Sequence, residues 1–395
     1  MRAADGDWSG LVVFCAATSW DGNRFPDQHM AERLARYAPV LYVDPPLTAL
    51  ARWRAPELAG RLHAPPVEVV SPGLCRTTPI GPPAGGRRGI RPLAELATRR
   101  AIRRAVRQLG DPEVHAVVAA YFAPVFGLCG ERRRVFYSTD DFVAGAELLK
   151  VNRSALLRDE ARQLRSVDTV IVCSPGLDEH YRSMGVDPVL VPNGCDHDLF
   201  AATDDAPLPT DVDLEPPIAG FIGHMTDRID VALLEAVAAR GRSLLLVGGP
   251  SPSFDMGRLE PLLARENVAW VGRKAFDELP SYLRVMDVGL LPYGDTAFNR
   301  ASFPLKVLEY LAAGRAAVST PLPAVEWLDT DLIDVAGTPD AFADAVDRAV
   351  ARPRTPEVVA GRRQFAARHG WSVRAEEMAE AIGLTPTRVP VDGPG

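Results

Sequence analysis

No apolar run in this chain of 395 residues approaches the roughly 20 that a membrane-spanning helix needs. Residues 1–10 carry no basic stretch followed by an apolar one, so no signal peptide is expected. Cysteine is scarce. The five present (Cys15, Cys75, Cys129, Cys173 and Cys195) are scattered, with no CxxC pair. That spacing argues against a structural zinc site and fits a reducing, cytoplasmic setting. Cys15 and Cys173 fall in apparent strands and read as small core residues. Positive charge is in deficit: 44 Lys and Arg against 51 Asp and Glu leave a formal charge of −7. An acidic chain of this kind is not expected to be a general nucleic-acid binder. What is there is an ordinary globular composition, 47% hydrophobic and 24% charged. The length exceeds what one core supports, so two domains are expected.

Short β-rich runs alternate with helical patterns from end to end. Residues 11–16, 40–44, 114–119, 135–138, 170–173 and 189–191 read as strands. Residues 201–217, rich in Asp, Pro and Thr, read as a linker. The pattern then restarts with strands at 218–222, 244–247, 268–271, 288–291 and 317–319. Such alternation predicts parallel sheets with crossover helices. The expected organisation is a first doubly wound domain over 1–200, the linker, a second over 218–370, and a final helix and tail over 371–395. Ligands of such sheets bind beyond the carboxyl ends of the strands, so the cleft between two facing sheets is the expected site.

The densest signal lies in residues 302–320. Pro304 predicts a first helical turn. Leu305, Leu308, Leu311 and Ala312 then line one face, Gly314 ends the helix, and 316–319 reads as a buried strand. Lys306 and Glu309 sit three apart and share a face near the helix start. Free N–H groups and the positive dipole end suit a phosphate. A cation and a carboxylate beside them suit a nucleoside diphosphate, Lys306 supplying charge and Glu309 holding ribose hydroxyls. The plain alternative is a solvated ion pair on a helix surface.

This segment resembles the donor-binding helix of GT-B fold glycosyltransferases, and is most similar to glycosyltransferase family 4, the group 1 glycosyltransferases. The resemblance spans roughly residues 135–380. Val191-Pro192-Asn193-Gly194-Cys195-Asp196, completed by Phe200, resembles the stretch that closes the family's first domain. Gly220-Phe221-Ile222-Gly223-His224-Met225 resembles the opening of the second, where a glycine lets phosphate or ribose approach the backbone. The Arg and Lys with which the family holds the diphosphate are replaced by His224 and Ile229, with Arg228 as a nearby substitute. Val271-Gly272-Arg273-Lys274 resembles the stretch whose backbone reads the nucleobase. The loop 294–302 is expected over the sugar and diphosphate, with Asn299, Arg300 and Ser302 as polar candidates. The donor set implied by the resemblance is Gly223, His224, Arg228, Gly272, Arg273, Ser302, Pro304, Leu305, Lys306 and Glu309. Retaining members often carry two glutamates eight apart. Glu309 matches the second, whereas Ala301 stands at the first.

In the first half, Tyr137-Ser138-Thr139-Asp140-Asp141 ends a strand facing the expected cleft. Asp140 or Asp141 is a candidate for orienting or deprotonating an acceptor hydroxyl. Capping of the next helix is the structural use of the same residues. After the first strand, Gly22, Asn23 and Arg24 are acceptor-side candidates, with Gln28 and His29 close behind. Arginines 87, 88, 91, 99, 100, 103, 104 and 107 crowd one stretch. Arg99, Arg103 and Arg107 lie on a helix that suits an anionic membrane, an acidic substrate or plain solvent. The phrase Gly370-Trp371-Ser372 precedes a final helix that, by the resemblance, crosses back to the first domain.

The resulting expectation is a glycosyltransferase moving a sugar from a nucleoside diphosphate donor to an acceptor hydroxyl. The resemblance implies retention, no metal and no cofactor. A sugar-nucleotide epimerase of the same fold and a non-catalytic sugar-nucleotide-binding subunit are the alternatives.

Overall fold

The computed structural model describes residues 7–384 apart from 23, 49, 51, 52, 54, 55, 84–88, 149, 252 and 253. Asn23, Arg87, Arg88 and the end of the tail therefore lie outside the described residues.

The first ten strands are β1 (Leu11–Cys15), β2 (Val40–Val43), β3 (Leu47–Thr48), β4 (Glu68–Ser71), β5 (Leu74–Thr77), β6 (Ile80–Gly81), β7 (Val114–Ala119), β8 (Arg133–Ser138), β9 (Thr169–Val172) and β10 (Val189–Leu190). Eight of them form a sheet in the order β10-β9-β8-β7-β1-β2-β5-β4, parallel except for β4 against β5. β3 and β6 pair separately. The edge strand β4, its neighbour β5 and the two-residue strands β3 and β6 escape a reading of apolar runs because each is short.

The second sheet comprises β11 (Ile218–Ile222), β12 (Ser243–Val247), β13 (Val268–Trp270), β14 (Val288–Leu291), β15 (Ala316–Ser319) and β16 (Ile333–Val335). Its order, β13-β12-β11-β14-β15-β16, is fully parallel and reverses direction between β11 and β14. That reversal opens a crevice at the carboxyl ends of β11 and β14. In the first sheet the matching point lies beside β1, flanked by β7 and β2.

Both sheets are buried on both faces, so their central strands read as near-continuous apolar runs rather than alternations. Gly289 in β14 shows how tight the packing is. A Cβ there would lie 2.1 Å from the Tyr310 ring, whose hydroxyl donates to the Leu290 carbonyl and accepts from the Ile222 N–H. Gly289→Ala should cost about 3 kcal/mol of stability through overpacking, read as a lower denaturant midpoint.

Residues 201–217 depart from a free linker. Ala201 closes the helix His197–Ala201, and Ala202–Asp205 forms a 3-10 turn. Asp204 accepts from Arg315 and Arg363, and Asp211 from Lys274 and Tyr282. Asp204 and Asp211, which look solvated by composition, are paired with cations distant in sequence.

The last helix, Trp371–Ala381, packs on the first-domain helix Pro26–Leu34. A parallel bridge joins Cys195 to Gly370, with the Trp371 N–H donating to the Cys195 carbonyl at 3.2 Å. At Gly194 a Cβ would sit 2.8 Å from the Trp371 nitrogen, so the glycine permits the crossing. The His115 imidazole reaches the Ile382 carbonyl at 2.9 Å and holds the far end. One apolar cluster consequently runs through both domains.

Candidate active site

A cavity of about 760 Å³ opens where the carboxyl ends of the two sheets face each other. Its second-domain wall is built on the helix Leu305–Ala312. Pro304 stands outside that helix as its N-cap, in an extended conformation, rather than within the first turn. No side chain caps the helix, so its mouth faces the cavity with open N–H groups. Lys306 and Glu309 both line the space, 3.4 Å apart, and Glu309 is only 6% exposed. Gly223, at the end of β11, brings its backbone close to this pair: a Cβ there would lie 3.3 Å from the lysine Cε. Gly248 follows β12 in the same way. Its φ is +143°, and a Cβ would stand 1.8 Å from the Gly223 carbonyl oxygen. The floor of the cavity is thus two glycine backbones in contact.

Arg228 is held rigidly above this floor. Its guanidinium donates to Asn299 Oδ1 at 2.8 Å and to Ser302 Oγ at 2.7 Å. It lies 4.5 Å over the Tyr293 ring and 5.1 Å over that of Phe298. Asn299 is fully buried and also donates to the carbonyls of Arg228 and Gly294. Asn299 therefore braces the loop instead of facing a ligand. Arg300 pairs with Asp295 on the surface.

The first-domain wall brings Gly22, Arg24, His29, Asp140 and Asn193 to the same cavity. Burial pushes the Asp140 carboxyl up to about 6. Arg228 opposes that shift, and the carboxylates of Asp27 and Asp141 add to it. Asp141 does not line the cavity; its Oδ1 accepts from the Ala144 N–H at 2.7 Å and caps the following turn. Arg24 pairs with Glu32 and lies 5.9 Å over the Trp20 ring. Gln28 is a loop brace: it accepts from the Phe25 N–H and donates to the Ser19 carbonyl. His224 stacks on Phe25 from the opposite domain, 6.3 Å between ring centres. Desolvation, then Lys306 and Arg273, hold its imidazole below the usual range and therefore neutral.

Residues 216–352 match the sequence family described as glycosyl transferases group 1. Over 137 residues the chain is 34% identical to TuaH of Bacillus subtilis, a protein named for glycosyl transfer in teichuronic acid biosynthesis. Residues 216–352 are thus similar to the group 1 glycosyltransferases. That match covers 34% of this chain and about a third of the relative, 34% of its length. Solved structures extend the likeness to the whole chain. Sucrose-phosphate synthase from Thermosynechococcus elongatus superposes with a TM-score of 0.72 at 18% identity, covering 94% of this chain and 97% of the other. Anabaena HepE in complex with UDP and glucose gives 0.65 at 14% identity, covering 95% and 99%. At such identities the likeness establishes the fold, which is GT-B.

Of the residues expected at the donor side, Gly223, His224, Arg228, Arg273, Ser302, Pro304, Leu305, Lys306 and Glu309 line the cavity. Gly272 does not. Its carbonyl accepts from the Gly248 N–H at 2.8 Å, and its φ of +70° turns the chain so that Arg273 and Lys274 reach the wall. Ala301, at the position of the family's first glutamate, is buried. Its carbonyl accepts from the Ser174 hydroxyl of the first domain. Gly248 and Gly249 escaped the sequence reading, although they follow a strand as Gly223 does. The wall also includes Phe276 and Trp371, which meet there only after folding. Arg99, Arg103 and Arg107 lie on the helix Arg91–Gln108, away from the cavity, with Arg103 and Arg107 exposed.

Proposed function

We propose that the protein is a glycosyltransferase that moves a sugar from a nucleoside diphosphate donor to an acceptor hydroxyl. The observation that carries this reading is the uncapped helix mouth at Leu305, with Lys306 and Glu309, opening into the interdomain cavity. The mouth and Lys306 hold the diphosphate, and Glu309 takes the pentose hydroxyls. Arg228 adds the second cation. Arg273 and Lys274 flank the base. Fixed positive charge at the departing phosphate stabilises charge that grows as the sugar leaves. We assign no metal and no cofactor to this step, since the cations named here supply that charge.

The reaction is proposed to be retaining. The C1–O bond to phosphate breaks, the acceptor oxygen bonds C1 on the same face, and the acceptor proton passes to the leaving phosphate. Asp140 orients the acceptor by accepting a hydrogen bond from a hydroxyl beside the reacting one, whose own proton stays free to pass to the leaving phosphate. The Asp140 carboxyl carries its proton in the folded protein up to about pH 6, so activity should rise through that pH and level off above it. The rising limb should vanish in Asp140→Asn. The sign for stability is opposite: a carboxyl whose pKa is raised by folding stabilises below its unfolded value near 3.8, and that contribution is lost as pH rises to about 6.

Acceptors are a polysaccharide, a lipid-linked sugar or a natural product. The exposed Arg103 and Arg107, with Leu93 and Leu96 on the same helix, are proposed to touch an anionic membrane from its cytoplasmic side. Sedimentation with phosphatidylglycerol vesicles, and loss of binding in Arg103→Glu/Arg107→Glu, checks that contact. Among the described residues no helix is long and apolar enough to cross a membrane.

The function is tested by melting the protein with nucleoside diphosphates and nucleotide sugars, because a ligand of the native state raises its stability in proportion to log affinity. Binding should be followed by transfer to an acceptor, with the anomeric configuration of the product read by NMR. An isomer formed from donor alone would mark an epimerase instead.

A further inference from the structure

A second cavity, of about 170 Å³, lies on the first domain and shares no lining residue with the interdomain one. It opens between the helix Arg91–Gln108, the helix Arg153–Leu164 and the loop that follows β7. Phe122, Ala123, Pro124 and Phe126 supply its apolar lining. The Phe122 ring is fixed against those of Phe136 and Phe142, at 5.4 and 5.6 Å between centres. Arg91, Arg99 and Arg162 bring three guanidinium groups to this space against one carboxylate, Asp159. That carboxylate is a hub: its Oδ2 accepts from Arg91 at 2.7 Å and its Oδ1 from Arg162 at 3.3 Å. Glu95, which does not line the cavity, accepts from Arg91 Nε at 2.7 Å. The two acids neutralise two of the three arginines. Arg99 is left over: half-buried in the wall, with no acid or carbonyl partner among the described residues. Its N–H groups are not buried, so a ligand can reach them. Arg91 and Arg162 each keep an Nη2 without a partner as well.

A guanidinium fork matches phosphate oxygens, and cations gathered on one concave wall focus their field there. Asp159 holds two of the forks in place, which spares a ligand the cost of ordering them. The volume lies below the roughly 300 Å³ at which pockets for drug-sized ligands begin, so it suits a phosphate with a short arm rather than a nucleotide. The apolar side suits the carbon arm of an ester. We propose that this pocket binds a phosphate ester, outside the donor site, with Arg99 as its principal cation. The ester is the headgroup of an anionic lipid or a free small phosphate; both present the same anion to the same fork. Leu96 is exposed one turn before Arg99 on the same helix face, an apolar surface beside the rim. The inference does not rest on the donor reading of the interdomain cavity.

The test titrates the full chain by calorimetry with glycerol 3-phosphate. In parallel the chain is sedimented with vesicles of phosphatidylcholine, alone or mixed equally with phosphatidylglycerol. The variants are Arg99→Gln, Arg99→Lys, which keeps the charge, and Arg100→Gln, which removes the same charge from the exposed neighbour outside the pocket. Arg99→Gln should weaken binding about tenfold, the scale of one lost charge-assisted hydrogen bond, and Arg99→Lys by about threefold. Arg100→Gln should stay within about twofold, because an exposed charge is screened. Melting should be unchanged in Arg99→Gln, since the side chain makes no bond to lose. If glycerol 3-phosphate binds and Arg99→Gln weakens it, the source is a free ester. If the loss appears only with vesicles that contain phosphatidylglycerol, the source is a lipid headgroup. Equal losses in Arg99→Gln and Arg100→Gln mark diffuse surface charge and overturn the pocket. So does phosphate binding that disappears in Lys306→Met and persists in Arg99→Gln, or the absence of any binding that Arg99→Gln weakens.

Discussion

Lys306→Met should lower kcat by about 100- to 1,000-fold while the protein still binds its donor, because one fixed donor at a developing anion contributes on that scale. The lysine stands in the first turn of an uncapped helix, where its charge and the helix dipole converge on one point in the cavity. A leaving diphosphate gains negative charge only as the glycosidic bond breaks. An interaction with that charge is stronger in the transition state than with bound donor, so its loss falls on kcat more than on KM. Methionine keeps the aliphatic stem against Gly223 and removes only the charge. Single-turnover kinetics with the preferred nucleotide sugar give the result. A variant with unchanged turnover would place the diphosphate elsewhere.

Glu309→Ala should fall on the other parameter. A carboxylate accepting from two pentose hydroxyls contributes equally to bound donor and transition state, so KM and Kd rise while kcat holds. Each charge-assisted hydrogen bond adds about 1.5 to 3 kcal/mol, so loss of the pair corresponds to a donor at least about 100-fold weaker. The carboxylate faces the cavity, so melting should move by a few degrees at most. Calorimetric titration reads the first effect and a thermal scan the second. Because Glu309 lies 3.4 Å from Lys306, the two substitutions should not add. Removing the acid frees the lysine to pull harder on phosphate and offsets part of the single loss, so the double variant should lose more than the sum.

The helix at Leu305 was legible because every local signal agrees: a proline before it, apolar spacing along it, and a glycine with φ of +74° after it. The strand–glycine junction at Gly223 was legible for the same reason. Asn299 was misread because a polar residue in a loop looks the same whether it faces ligand or braces the loop's own carbonyls. Asp140 and Asp141 are adjacent in sequence, yet one faces the cavity and the other caps a turn. Only the direction of each side chain separates them. Asp204 looks like part of a linker composition because its arginine partners, Arg315 and Arg363, come more than a hundred residues later.

From its order of residues alone, the chain determined two parallel sheets, the junctions after β11 and β14, and the start of the helix at Leu305. All are short-range patterns, set by backbone sterics and by the periodicity of apolar side chains. Folding alone decided that this helix mouth faces the first domain. It also decided that Gly248 touches Gly223, and that His29, Asn193 and Trp371 share one wall. Those contacts join residues tens to hundreds of positions apart, and their energy depends on which groups lose water together, a quantity no local stretch contains.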